Sequence, residues 1–110
     1  MVMDIVSFAD WKRMEFKVGK VLAAEKVAGA DKLLKLTVNT GEERTLVAGV
    51  AAVYSPEELV GTEVVVFANL EPKPLKGIMS EGMLLAVGDE DGRPILLRPE
   101  REVPAGSKVS

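Results

Sequence analysis

Between two apolar runs, Val64-Val65-Val66-Phe67-Ala68 and Leu84-Leu85-Ala86-Val87, lies a stretch that constrains the whole chain: Asn69 to Met83. The flanking runs read as strands. The intervening stretch holds Pro72, Pro74, Gly77, Gly82, Lys73, Lys76, Asn69 and Ser80. Pro72 and Pro74 restrict the backbone and cannot donate to a ladder. Gly77 and Gly82 permit turns or the close approach of another backbone. The stretch is therefore read as a polar loop between two rigid strands, the arrangement on which binding sites are commonly built. A fold that keeps both strands must let this loop emerge at one edge or end of a sheet.

The rest of the chain supplies a small β-rich framework. From Phe16 to Val27, Phe16 and Val18 alternate with Lys17, the phase slips at Gly19, and Val21 and Ala23 take up the other phase. A long strand with a Gly-centred bulge accounts for the slip. Ala28-Gly29-Ala30-Asp31 is a turn. Leu34, Leu36 and Val38 alternate with Lys35, Thr37 and Asn39, which predicts a half-buried strand with a basic outer face. Asn39-Thr40-Gly41-Glu42 closes a hairpin, and Arg44 to Val50 is a third strand. In Ser55-Pro56-Glu57-Glu58-Leu59-Val60-Gly61, Ser55 caps a short helix, Pro56 sits at its first position, Glu58 completes a capping box and Gly61 ends it. Ile5 to Met14 opens the chain as a short helical flap capped by Ser7, with Phe8, Trp11 and Met14 on one face. After the turn at Gly88 to Gly92, Pro94-Ile95-Leu96-Leu97 is a further strand, followed by a Pro-punctuated tail.

Three strands, one short helix and two more strands are the order of an OB-fold, a five-stranded Greek-key barrel that often binds oligonucleotides. The fold class expected is all-β with short helices, with an N-terminal helical segment and a C-terminal strand extension. We expect one domain over residues 1–110, with a barrel core over about 15–88 and an extension over about 93–110.

The chemistry on offer is that of binding. Cysteine and histidine are both absent, which removes disulfides, thiolate and imidazole metal ligands and the usual activators of a serine nucleophile. Asp89-Glu90-Asp91 lacks calcium-loop spacing, and Glu57 and Glu58 belong to a helix's first turn. No metal, cofactor or catalytic residue is expected. The N-terminus shows no basic leader, and no apolar run approaches the ~20 residues of a membrane span, so a soluble cytoplasmic protein is expected. Net charge is −3, against indiscriminate nucleic-acid binding. A basic face must then be made by folding. Lys32, Lys35, Arg44, Lys73 and Lys76 are the candidate phosphate contacts. Asn69 and Ser80 are candidates to hydrogen-bond a ligand or to tie the loop to its own backbone. Met83 is a candidate to pack against a flat base or ribose, or to join the core.

The combination Asn69-Leu70, Pro72, Lys73, Lys76, Gly77-Ile78 and Ser80-Glu81-Gly82-Met83 resembles the signature of the tRNA-binding domain of methionyl-tRNA synthetases, which also exists as a free-standing dimeric protein. Val18-Gly19-Lys20-Val21, Ala30-Asp31-Lys32-Leu33-Leu34-Lys35-Leu36 and Pro56-Glu57-Glu58-Leu59-Val60-Gly61 follow the family's order. The resemblance runs from Met14 to Val109. It implies binding of tRNA by shape at its outer corner, a homodimer formed with the N-terminal segment and the C-terminal tail, and service to a methionyl-tRNA synthetase catalytic subunit, without aminoacylation by these residues. Among the candidate phosphate contacts, the resemblance favours Lys32, Lys73 and Lys76. Glu71 departs from the pattern, and Ala48-Gly49 stands where many relatives have Ser-Gly. Two rivals of the same fold are an export-related protein-binding chaperone, which lacks the Gly-Met pair, and a dimerisation scaffold that has lost RNA binding.

Overall fold

The computed structural model describes residues 4–110; Met1 to Met3, with which the segment inspected for a leader begins, lie outside the described residues. The elements are α1 (Phe8–Arg13), β1 (Phe16–Val27), β2 (Ala30–Asn39), β3 (Glu43–Ala48), α2 (Pro56–Leu59), β4 (Glu63–Phe67), β5 (Lys73–Leu75), β6 (Ile78–Ser80), β7 (Met83–Leu84), β8 (Ala86–Gly88), β9 (Pro94–Leu96) and β10 (Lys108–Val109). The protein is mostly β, with antiparallel pairing throughout the described ladders.

The largest sheet runs β3-β2-β1-β4-β7, with β10 also paired to β1. Its centre is the alternation predicted for β2. Leu34, Leu36 and Val38 are all fully buried, and Leu46, Leu59, Val64 and Val66 join them from β3, α2 and β4. The residues between them along β2, Lys35 and Thr37, face the other way, as a period of two requires. The β2–β3 turn is held by Asn39, whose Oδ1 accepts the Gly41 N–H at 2.9 Å. At α2 the capping box forms as expected: Ser55 Oγ accepts from Glu58 N–H at 3.3 Å, and Glu58 Oε1 accepts from Ser55 N–H at 2.7 Å.

Two expectations are corrected. The irregularities in β1 against β2 lie between Val21 and Ala23, where Leu22 is out of phase, and between Lys26 and Val27; Gly19 pairs regularly with Val64. Gly19 serves close packing instead, because a Cβ there would come within 2.4 Å of Val38 Cγ1. Asn69 to Met83 is also no plain loop, since it contains the β5–β6 hairpin.

The five-strand order does not close by ladder hydrogen bonds. β3 pairs only with β2 and β7 only with β4. The gap between these two ends is where the Asn69–Met83 stretch sits. At the other end, α1 buries none of its own residues, but Trp11 stacks on Phe16 with ring centroids 5.2 Å apart, and Phe16 meets Phe67 at 4.7 Å. The C-terminal segment returns along β1, with Val18 N–H donating to Ser107 O at 2.8 Å and Gly106 N–H to Val18 O at 2.7 Å.

Candidate nucleic-acid interface

The β5–β6 hairpin turns on two residues, Lys76 and Gly77, between the paired Leu75 and Ile78. Their φ values are 51° and 79°, both left-handed. This is the condition of a type I′ turn, whose twist matches that of the strands it joins. Glycine meets it freely; Lys76 is the only non-glycine residue at positive φ among the described residues. The turn therefore places an exposed lysine at the tip of a short, stiff arm. Lys73, the first residue of β5, is exposed as well.

The feet of the hairpin are held by side chains. Ser80 is buried, with 3% of its surface exposed. Its Oγ accepts the Val47 N–H at 3.0 Å and donates to Gly82 O at 3.0 Å. Glu81 follows with a pair of bonds: its N–H donates to Thr45 O at 2.8 Å, and its Oε1 accepts from Thr45 N–H at 3.0 Å. The outer edge of β3 is thereby satisfied by Ser80 and Glu81 rather than by a strand, and an exposed ladder edge is removed. Gly82 has φ 138°, and a Cβ on it would lie 2.8 Å from Phe67 O. That close crossing is what lets the chain pass from β6 into β7 over β4. Asn69 pins the other foot: its Oδ1 accepts from Glu15 N–H at 2.8 Å and its Nδ2 donates to Arg13 O at 2.6 Å.

Beside the hairpin is a groove of about 180 Å³ lined by Val47, Leu70, Leu75 and Met83, with Lys73 and Glu71 next to them. It is smaller than the ~300 Å³ at which pockets for small molecules begin. It suits one flat or apolar group of a larger partner. Leu70, Met79 and Met83 expose 37%, 51% and 47% of their surfaces, so an apolar patch adjoins the two lysines.

The expected site residues thus separate. Lys73, Ser80 and Met83 line the same groove, with Lys76 at the tip above it. Lys35 stands opposite Val47 in the β2–β3 ladder, one strand from the groove, and meets Glu25 at 3.6 Å. Lys32 is exposed, and its carbonyl accepts the Ala51 N–H at 3.1 Å. Lys32, Lys73 and Lys76 make no ion pair among the described residues. Arg44 is turned inward: its side chain is 10% exposed and paired with Glu42 at 2.9 Å. Asn69 faces a different cleft of about 440 Å³, with Arg13, Met14 and Phe67. The sequence assigned no role to Leu70, Met79 or Glu81, although Leu70 and Glu81 lie in the quoted motif. The signal for Leu70 and Met79 was an unpatterned apolar residue in a polar stretch. For Glu81 it was the motif alone, because its partner Thr45 is distant in sequence.

Residues 16–108 match the model of the family described as "Putative tRNA binding domain". The chain belongs to this family. Its tRNA-binding domain is 53% identical over 105 residues to part of a methionine–tRNA ligase of Methanothrix thermoacetophila, covering 96% of this chain and 16% of that protein. It is 46% identical over 109 residues to the corresponding enzyme of Parabacteroides distasonis, covering 98% of this chain and 16% of that one. The chain spans about a sixth of the length of these curated relatives. Among solved structures it is similar to a MetRS-related protein from Pyrococcus horikoshii, with a TM-score of 0.91, 40% identity and coverage of 98% of this chain and 100% of that one. It is also similar to the chaperone CsaA of Bacillus anthracis, with a TM-score of 0.89, 29% identity and coverage of 97% and 100%. Among the described residues no helix is long and apolar enough to cross a membrane.

Proposed function

We infer that this domain binds folded tRNA as a non-catalytic accessory to a methionyl-tRNA synthetase in the cytoplasm. Lys73 and Lys76 contact phosphates from the hairpin, Lys32 and Lys35 extend that contact along β2, and Met83 with Leu70 packs against an exposed base or ribose. Asn69 and Ser80 hold the hairpin in place. The observation that carries this reading is the stiff arm: two unpaired lysines on a side-chain-anchored hairpin beside an apolar groove. Placement supplies affinity that a net charge of −3 cannot. The scaffold would be a single OB-type barrel over residues 15–88 whose last seam is made by side chains. The 93–110 extension and α1 would form a homodimer, in which the exposed Ile5, Phe8, Val87 and Ile95 are covered.

Titrating labelled unfractionated tRNA and poly-U of equal length with the protein over a range of salt tests this. Different tRNAs should bind about equally and poly-U far less well, because a preformed surface need not order a flexible strand. The dependence on salt should be shallow, at roughly −0.7 to −0.9 in log K per phosphate contacted. Equal competition by poly-U, or binding of a single tRNA alone, overturns recognition by shape.

The likeness to CsaA supports a second reading, in which the same apolar groove takes a side chain of an unfolded peptide. Under it, a reduced unfolded polypeptide would displace tRNA at comparable concentration.

A further inference from the structure

Arg44 holds the two feet of the hairpin with one nitrogen. Its Nη1 donates to Ala68 O at 2.7 Å, where the chain leaves β4, and to Glu81 O at 2.9 Å, where it comes back from β6. Nε donates to Thr40 Oγ1 at 2.8 Å and Nη2 to Glu42 Oε1 at 2.9 Å. Four of the five donors of a guanidinium are engaged by these bonds within the chain. Thr40 is itself buried, at 1% exposure. A side chain spent in this way has little left for a phosphate.

We propose that Arg44 is a positioning residue for RNA binding: it staples the β4 exit to the β6 return, and so keeps the Lys73–Lys76 arm in its binding-competent pose. The proposal rests on the RNA-binding reading above. Its physical basis is the fork geometry. One planar group reaches carbonyls of two segments that share no ladder at that point, together with a hydroxyl and a carboxylate. A lysine ammonium at the same place keeps the charge but cannot span them. Without the staple the arm samples other poses, and apparent affinity falls by the fraction of molecules that remain competent.

The test compares Arg44→Lys with Arg44→Ala in tRNA binding as a function of salt, below the unfolding transition of both. A phosphate contact and a staple predict different results. For a staple, Arg44→Lys should weaken binding about tenfold, nearly as much as Arg44→Ala. The salt slope should stay at the wild-type value in both, because the bound state keeps its phosphate contacts. Hydrogen exchange on the RNA-free variants should show the Glu81 and Val47 amides losing nearly all their protection, because a tenfold loss of affinity leaves only about a tenth of the molecules in the competent pose. Retained affinity in Arg44→Lys, or a slope lowered by one phosphate in Arg44→Ala, overturns the proposal. If either variant fails to fold, Glu42, whose Oε1 accepts from Arg44 Nη2 at 2.9 Å, carries the test. Glu42→Ala removes a negative charge, yet it should weaken binding by loosening the staple, while Glu42→Gln, which keeps an acceptor for Nη2, should restore it. Stronger binding by Glu42→Ala, as an arginine freed for a phosphate would give, overturns the proposal. Wild-type protein that fails to bind tRNA would sink the RNA-binding reading, and the exchange measurement would then judge the staple by itself.

Discussion

The hydroxyl of Ser80 stands 3.0 Å from the amide nitrogen of Val47, where a neighbouring strand would otherwise have supplied a carbonyl. One side chain thus does part of the work of a missing ladder between β3 and β7. Ser80→Ala should leave the buried Val47 N–H without a partner, at a cost of about 1–3 kcal/mol. Urea denaturation should show the midpoint falling with the slope unchanged. A wild-type midpoint would mean that water replaces the hydroxyl.

Gly82→Ala should be worse. The φ of 138° is outside what an alanine adopts comfortably, and its methyl group would meet Phe67 O at 2.8 Å and Leu46 Cδ2 at 3.2 Å. Strain of ~1–3 kcal/mol from the backbone adds to the cost of shifting β4 or the core. Calorimetry should give a clear fall in Tm, larger than that for Gly77→Ala, whose Cβ meets nothing within 4 Å.

Lysine removal should act by place. Lys32→Ala, Lys73→Ala and Lys76→Ala should each weaken tRNA binding and lower the salt slope, with stability changed by no more than ~0.5 kcal/mol. Lys108 lies on β10 opposite Lys17, and Lys108→Ala should do little. Equal losses from all four would show that the hairpin is not the site.

The dimer is tested by mass. Ile5 and Phe8 expose 93% and 70% of their surfaces, and Val87 and Ile95, directly paired across β8 and β9, expose 54% and 41%. Light scattering at micromolar concentration should return twice the 11.8 kDa of one chain. Deleting residues 1–13 should weaken association while the sheet stays folded, as read by far-UV circular dichroism.

The β8–β9 turn should leave a mark in acid. The Asp89 carboxyl is held below its usual range, chiefly by the Arg93 N–H, with the Asp91 N–H and the Arg93 guanidinium adding to it against some desolvation. A depressed folded pKa means that the carboxylate's contribution is fully present above the unfolded value of 3.8 and is lost as pH falls through the lower folded value. Asp89→Asn keeps an acceptor but cannot titrate. Its Tm should therefore fall less steeply than that of wild type below about pH 4.

The amino-acid sequence alone determined whatever depends on neighbours along the chain. The period of two in Leu34, Leu36 and Val38 set β2 and its buried face. Ser55, Pro56 and Glu58 set α2 with its cap, and Asn39 with Gly41 set the β2–β3 turn. These are local decisions, made by backbone preferences and by bonds spanning a few residues. The motif from Asn69 to Met83 marked the candidate site for the same reason: its prolines, glycines and lysines stand out in the string itself. Tertiary structure alone decided what each of those residues does. Lys73-Pro74-Leu75 and Ile78-Met79-Ser80 did not read as strands, because Pro74 argues against a ladder and Lys76-Gly77 is a poor advertisement for a type I′ turn. Whether Ser80, Asn69 and Arg44 face a ligand or the chain depends on Val47, Glu15, Ala68 and Glu81, whose positions exist only once the sheet has formed. The same distance hid the seam between β3 and β7. It is closed by hydrogen bonds between residues more than thirty positions apart, and no period in the sequence records which polar side chain will meet which backbone group across such a separation.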